Sequence, residues 1–181
     1  AELTKTEQQN WEEITEEIKQ IYAINVREKN PDPNYEDRIT NKLIQRARIV
    51  KNAENKIELA EEVLLENYRD GDRWIIYCDS QPQLYRILDR VREKGIKAND
   101  YHYNMEGDRE QTLRNFQLNG GVLVSIRCLD EGVDIPNVTH ALILASSTNP
   151  REFIQRRGRV LRKAENKPLA YIHDALVLPQ S

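Results

Sequence analysis

Near Gly71 the apolar residues stop recurring at helical spacing and begin to fall in short continuous runs, a switch that leaves few architectures open. Upstream, Trp11, Ile14, Ile18, Ile21 and Tyr22 form one stripe, with Glu12, Glu13, Glu16, Glu17 and Lys19 on the other positions. Asn30-Pro31-Asp32-Pro33-Asn34 ends that helix, because proline lacks an amide hydrogen and disfavours helical backbone before it. A second helix is expected from about Tyr35 to Asn52, with Ile39, Leu43, Ile44, Ala47 and Val50 inward. A third is expected from about Ala53 to Tyr68, with Ile57, Ala60, Val63 and Leu64 inward.

Downstream, strands and helices alternate. Strands are expected at Trp74–Cys78, Asp100–Tyr103, Val122–Ile126, His140–Ala145 and Leu169–Ile172. Helices are expected at Gln83–Lys94, Asp108–Leu118 and Asn149–Lys163. The runs at 74, 122 and 141 are continuously apolar rather than alternating, which marks strands covered on both faces. Alternation at this spacing gives a parallel α/β sheet with right-handed crossovers, whose ligands bind off the carboxyl ends of the strands. The chain therefore divides into a helical N-terminal extension or arm at 1–70 and an α/β domain at 71–181. The places to search are just after Cys78, Ile126 and Ala145.

Composition excludes several classes. With 39% hydrophobic and 31% charged residues and no long apolar run, the chain is a polar globular protein with no membrane partner. Its first residues have no basic stretch followed by an apolar one, so no secretory signal is expected, and the expected compartment is the cytoplasm. The absence of an initiating Met suits a piece excised from a longer protein. Cys78 and Cys128 each end an apolar run and read as two buried, reduced thiols. Net charge is −3, yet six of the thirteen residues from Arg151 to Lys163 are basic, which points to one local phosphate site rather than a general polyanion surface.

The residues after Ala145 are the most informative. Asn149-Pro150-Arg151-Glu152 opens a helix well: Asn as N-cap, Pro at the first helical position, and Glu three residues beyond the cap. At about 100° per residue, Phe153, Ile154, Val160 and Leu161 share one arc, while Gln155, Arg159 and Arg162 fall within about 60° on the opposite side. Arg157 projects into the apolar arc, which predicts a bend or an end near Gly158. Two arginines one turn apart suit a phosphate chain, since guanidinium stays charged and binds phosphate through paired donors. A solvated basic helix face is the competing reading.

A second cluster, Asp130-Glu131-Gly132-Val133-Asp134-Ile135-Pro136, follows the strand ending at Ile126. Its carboxylates could serve a metal, a general base, a ribose hydroxyl or merely a turn closed by Gly and Pro. No His or Cys stands at ligand spacing, so no metal site is expected. Cys78-Asp79-Ser80 follows the first strand, where Ser80 either contacts a backbone phosphate or caps the next helix. Arg109, behind Gly107-Asp108, is open between phosphate contact and surface pairing. No Gly-rich loop ending in Gly-Lys-Ser/Thr occurs, no paired Asp-Glu follows a strand, and His102, His140 and His173 are scattered. These features amount to half of a phosphate-handling site.

The run from Leu123 to Pro136 resembles motif V of superfamily 2 helicases, and Phe153-Ile154-Gln155-Arg156-Arg157-Gly158-Arg159-Val160-Leu161-Arg162 resembles their motif VI. Trp74 to Ser80 is similar to motif IV, and Tyr101-His102 through Arg109 to Phe116 to the segment that follows it. The wording around Cys128 is similar to the bacterial branch of restriction-type and repair-type DNA helicases, as is Leu3-Thr4-x-x-Glu7 with Trp11.

The resemblance implies a RecA-like second motor domain of an ATP-dependent nucleic-acid enzyme, inactive on its own. ATP and Mg²⁺ would be held mainly by an N-terminal RecA-like domain of the same protein. Arg159 and Arg162 match arginine fingers, Gln155 and Arg156 the nucleotide side of motif VI, Asp134 a carboxylate near the ribose, and Gly132 a turn of close approach. Ser80, Arg109, Ser125 and Arg127 match positions that touch the nucleic-acid backbone, with DNA favoured over RNA. Two departures stand out: Ile126-Arg127 replaces a hydroxyl contact with an arginine one, and Tyr103-Asn104 replaces a small Gly/Ser pair. The contrasting expectation is a non-catalytic RecA-like binding module for nucleic acid or protein.

Overall fold

The computed structural model describes residues 1–27, 33–126, 138–145 and 170–180. Among these residues five parallel strands form one sheet: β1 Arg73–Cys78, β2 Ala98–Tyr101, β3 Gly121–Ile126, β4 His140–Ile143 and β5 Tyr171–Asp174, in the order β2-β3-β1-β4-β5. β1 lies at the centre because every residue from Trp74 to Cys78 is buried, which only a strand with two neighbours and two covered faces achieves. Helices α4 (Gln81–Glu93) and α5 (Arg109–Asn119) follow β1 and β2, and the N-terminal part supplies α1 (Lys5–Arg27), α2 (Tyr35–Lys51) and α3 (Asn55–Asn67).

Strand side chains alternate between faces, and the core divides accordingly. On one face Trp74, Ile76, Cys78, Val122, Val124 and Leu142 pack with Ile57, Ala60 and Leu64 of α3 and with Leu84, Ile87, Leu88 and Val91 of α4. On the other, Ile75, Tyr77, Leu123, Ala141 and Ile143 pack with Tyr101, Val138 and Phe116 of α5. Thus α3 shares the core of the sheet. Burial pushes the Cys78 thiol well above its ordinary range, leaving it protonated and unreactive.

Several boundaries differ from the sequence expectation, each for a local reason. α4 starts at Gln81, because the Ser80 hydroxyl accepts from Gln83 N–H and Pro82 sits in the first turn. β2 runs Ala98–Tyr101 instead of Asp100–Tyr103, since its parallel register begins with Ala98 beside Val122 and ends with Tyr101 beside Ser125. β4 stops at Ile143 because the N–H groups of Leu144 and Ala145 both donate to the Tyr77 carbonyl. β5 continues to Asp174 through its pairing with Ile143. Gly121 has to be glycine: its φ is +107°, and a Cβ would lie 2.8 Å from the Lys97 carbonyl oxygen.

α1 and α2 run antiparallel, with Trp11, Glu17 and Tyr22 meeting Arg46, Lys42 and Tyr35 in turn. Ile18 and Ile39 are their buried residues. Thr4 and Glu7 form a reciprocal cap at the start of α1: Thr4 N–H donates to Glu7 Oε2 and Glu7 N–H to Thr4 Oγ1. The second oxygen of Glu7 accepts from Glu54 N–H, tying α1 to the start of α3. Gln8 and Gln180 exchange hydrogen bonds, and the terminal ammonium of Ala1 donates to the Leu176 carbonyl. The beginning of the chain, the α2–α3 junction and the segment after β5 are therefore laced together.

Candidate nucleotide and nucleic-acid interface

Because all five strands are parallel, their carboxyl ends, Cys78, Tyr101, Ile126, Ile143 and Asp174, lie along one rim. Such a rim gathers the loops that follow the strands, and ligands of α/β sheets bind there. Of the residues singled out from sequence, Ser80, Arg109 and Ser125 are described, and all three stand on or next to this rim. Gly132, Asp134, Arg127, Gln155, Arg156, Arg159 and Arg162, with Cys128 and the helix expected at 149–163, lie outside the described residues.

Ser80 is tied into a polar network. Its hydroxyl donates to Asn52 Oδ1 at 2.5 Å, while Asn52 Nδ2 donates to Asp79 Oδ2 at 2.9 Å. Lys51 Nζ lies 3.6 Å from Asp79 Oδ1, Asp79 N–H donates to Gln83 Oε1, and Gln83 Nε2 donates to the Lys51 carbonyl. The α2–α3 junction thus grips the turn after β1. Ser125, on β3 between Tyr77 and Tyr101, is fully buried, and its hydroxyl has no hydrogen-bond partner among the described residues. A buried hydroxyl without a partner is unfavourable, so this atom keeps its capacity to accept or donate a hydrogen bond.

Lys56, at the start of α3, is 1% exposed, and its ammonium donates to the Leu144 carbonyl just past β4. Burial lowers its pKa to about 8, against the raising influence of Asp174 and Asp79 and together with the lowering influence of Lys51. A lysine whose folded pKa lies below its ordinary 10.5 binds its proton less tightly in the native state than when unfolded. Its charge therefore opposes folding below that window, and its contribution improves as pH rises from about 8 to 10.5. Urea titrations across this range should show a stability gain in the wild type that is missing from Lys56→Met. Equal pH slopes in the two proteins would refute this placement of the ammonium.

Arg109 opens α5 behind Asp108, whose carboxylate caps the helix by accepting from the N–H groups of Glu110 and Gln111. Its guanidinium carbon lies 5.9 Å from the ring centre of Tyr101 and 5.7 Å from that of Tyr103. No three His, Cys, Asp or Glu side chains among the described residues converge as a metal site would require. Asn52, Lys56 and Tyr103 were not flagged as site residues from the sequence. Lys56 did leave a trace, for it shares the spacing of Ala60 and Leu64 on the inward stripe of its helix.

The parallel order, the doubly covered central strand and the rim define a RecA-like domain. Solved structures agree: the C-terminal domain of the DEAD-box protein Dbp5 superposes with a TM-score of 0.57 at 21% identity, covering 70% of this chain and 73% of that one. The Pyrococcus furiosus Hef helicase domain covers 93% of this chain and 35% of its own, at a TM-score of 0.50 and 21% identity. At such identities the likeness speaks of fold alone.

The family model "Helicase conserved C-terminal domain" matches residues 55–164, so the chain belongs to that family. The matched stretch begins at α3, whose side chains fill the sheet's core. Among curated proteins, the DNA 3'-5' translocase XPB2 of Sulfurisphaera tokodaii is 33% identical over 124 residues, 67% of this chain and 26% of the relative. The ATP-dependent DNA helicase RecQ of Pasteurella multocida is 33% identical over 94 residues, 51% of this chain and 15% of the relative. The DEAD-box ATP-dependent RNA helicase 22 of Arabidopsis thaliana is 28% identical over 108 residues, 59% and 19% respectively. The chain spans about a quarter or less of the length of these relatives. No helix among the described residues is long and apolar enough to cross a membrane.

Proposed function

We propose that this chain is the second motor domain of an ATP-dependent superfamily 2 helicase or translocase, acting on nucleic acid and, between the two tracks, on DNA. The observation that carries this reading is the family match over 55–164, which contains Arg159 and Arg162, on a parallel sheet with a polar rim. The relatives named above act on DNA in two cases and on RNA in one. The wording of Cys128–Pro136 favours the DNA branch.

The chain has no Gly-Lys-Ser/Thr loop, so the β- and γ-phosphates of ATP and the Mg²⁺ that accompanies them belong on an upstream RecA-like domain. This domain contributes from the opposite side of the cleft. Arg159 and Arg162 meet the charge that develops on the transferred phosphoryl group, and a positioned cation acts strongly there because the closed cleft excludes water. Gln155 and Arg156 orient that helix at the nucleotide, Gly132 lets the backbone approach, and Asp134 accepts from the ribose. Ser80, Arg109 and Arg127 supply contacts to the track, and Ser125, fully buried near the end of β3, lies behind them.

Steady-state hydrolysis tests the reading. The full-length protein should turn over ATP faster when single-stranded nucleic acid is added, and the 181-residue chain alone should not turn it over. Turnover by the isolated chain at the rate of the full-length protein would contradict the division of labour.

A further inference from the structure

The loop between β2 and α5 holds a feature that the nucleotide chemistry leaves unused. Tyr103 is 79% exposed, the most exposed aromatic ring among the described residues. Its recorded ring partner is the guanidinium of Arg109, which also lies over the buried ring of Tyr101. An aromatic ring left in water between anchored neighbours, with a cation against it, is suited to receiving a flat partner.

Tyr101 is buried at the end of β2, paired with Ser125. His102 is buried, with Nε2 3.2 Å from Asp100 Oδ2 and 3.3 Å from the Tyr85 hydroxyl. Met105 N–H donates to the His102 carbonyl, and the Met105 side chain packs against the core. Both neighbours of the loop are thus anchored. Little conformational freedom is left to lose when the exposed ring meets a ligand.

We infer that Tyr103, with Arg109 against it, is a stacking platform for an unpaired base of a single-stranded nucleic acid. This rests on the proposed function, and it adds a base contact where only backbone contacts were expected. Charge favours a base over a run of phosphates. Glu106, Asp108 and Glu110 surround Arg109 in the sequence and are all exposed, so the turn presents more negative than positive charge. Stacking depends on the π face and tolerates that field, and Arg109 meets at most one adjacent phosphate.

The test uses the full-length protein and fluorescence anisotropy with two labelled oligomers of equal length, one of thymidylate and one of abasic sugar-phosphate. Tyr103→Ala should weaken thymidylate binding about 5- to 100-fold, while Tyr103→Phe, which keeps the ring, should stay within about twofold of wild type. On the abasic oligomer, Tyr103→Ala and wild type should bind alike. Arg109→Ala should lower the slope of log affinity against log salt by about one. A Tyr103→Ala protein that binds thymidylate as tightly as wild type would overturn the platform and leave the motor reading standing. So would equal losses on the two oligomers, which would place a backbone contact there. A wild-type protein that binds neither oligomer would overturn both.

Discussion

Replacing Arg159 or Arg162 by alanine in the full-length protein should lower the ATP turnover number by roughly 10³- to 10⁵-fold, the range observed for arginine fingers in phosphoryl transfer. The loss should fall on kcat, with KM for ATP changing far less, because the cations act on charge present only in the transition state. Lysine at either position should recover little. A compact ammonium cannot reproduce the paired, planar donors of a guanidinium. Folding should be spared, since the sequence spacing puts both residues on the arc opposite the apolar Phe153, Ile154, Val160 and Leu161. Thermal unfolding of the variants should match wild type to within about 0.5 kcal/mol. Turnover at the wild-type rate in either variant would refute the assignment.

The largest effect on stability is expected at Trp74. Its side chain is 0% exposed, and its ring lies against His140 at 4.3 Å between centres and 14° from the plane of His173 at 5.4 Å. Trp74→Ala leaves a cavity at the centre of the sheet and should cost about 3–5 kcal/mol. That is a large part of the ~5–15 kcal/mol by which domains are stable. Trp74→Phe keeps the stacking face and should cost distinctly less. Both imidazoles in the stack are pushed below the ordinary histidine value, chiefly by burial, which disfavours their charged forms. A urea midpoint for Trp74→Ala close to that of wild type would contradict this account of the core.

What the sequence could disclose follows from how local each signal is. β1 and β3 were legible because residues 74–78 are apolar throughout and 122–126 are apolar but for Ser125, the pattern of a doubly covered strand. β2 was placed two residues late because Ala98-Asn99-Asp100-Tyr101 has two polar residues of four, and its register comes from pairing with β3. The cap at Ser80 was one of two readings of a single residue; its bond to Asn52 joins parts of the chain that no spacing rule connects. The buried cation at Lys56 was hidden because a lysine among apolar neighbours reads as a surface residue until the carbonyl of Leu144 is seen beneath it. Arg159 and Arg162 stood out for the opposite reason: their signal is a local spacing of three residues in the sequence.

The most direct measurement of the central claim is the distance from the Arg159 and Arg162 guanidinium groups to the γ-phosphate, in a structure of the full-length protein with a non-hydrolysable ATP analogue and single-stranded DNA. Both should lie within hydrogen-bonding reach, about 2.7–3.2 Å from donor nitrogen to phosphate oxygen, with the phosphates cradled by the upstream domain. Guanidinium groups turned into ion pairs within this chain, or pointing away from the rim where the five strands end, would contradict it.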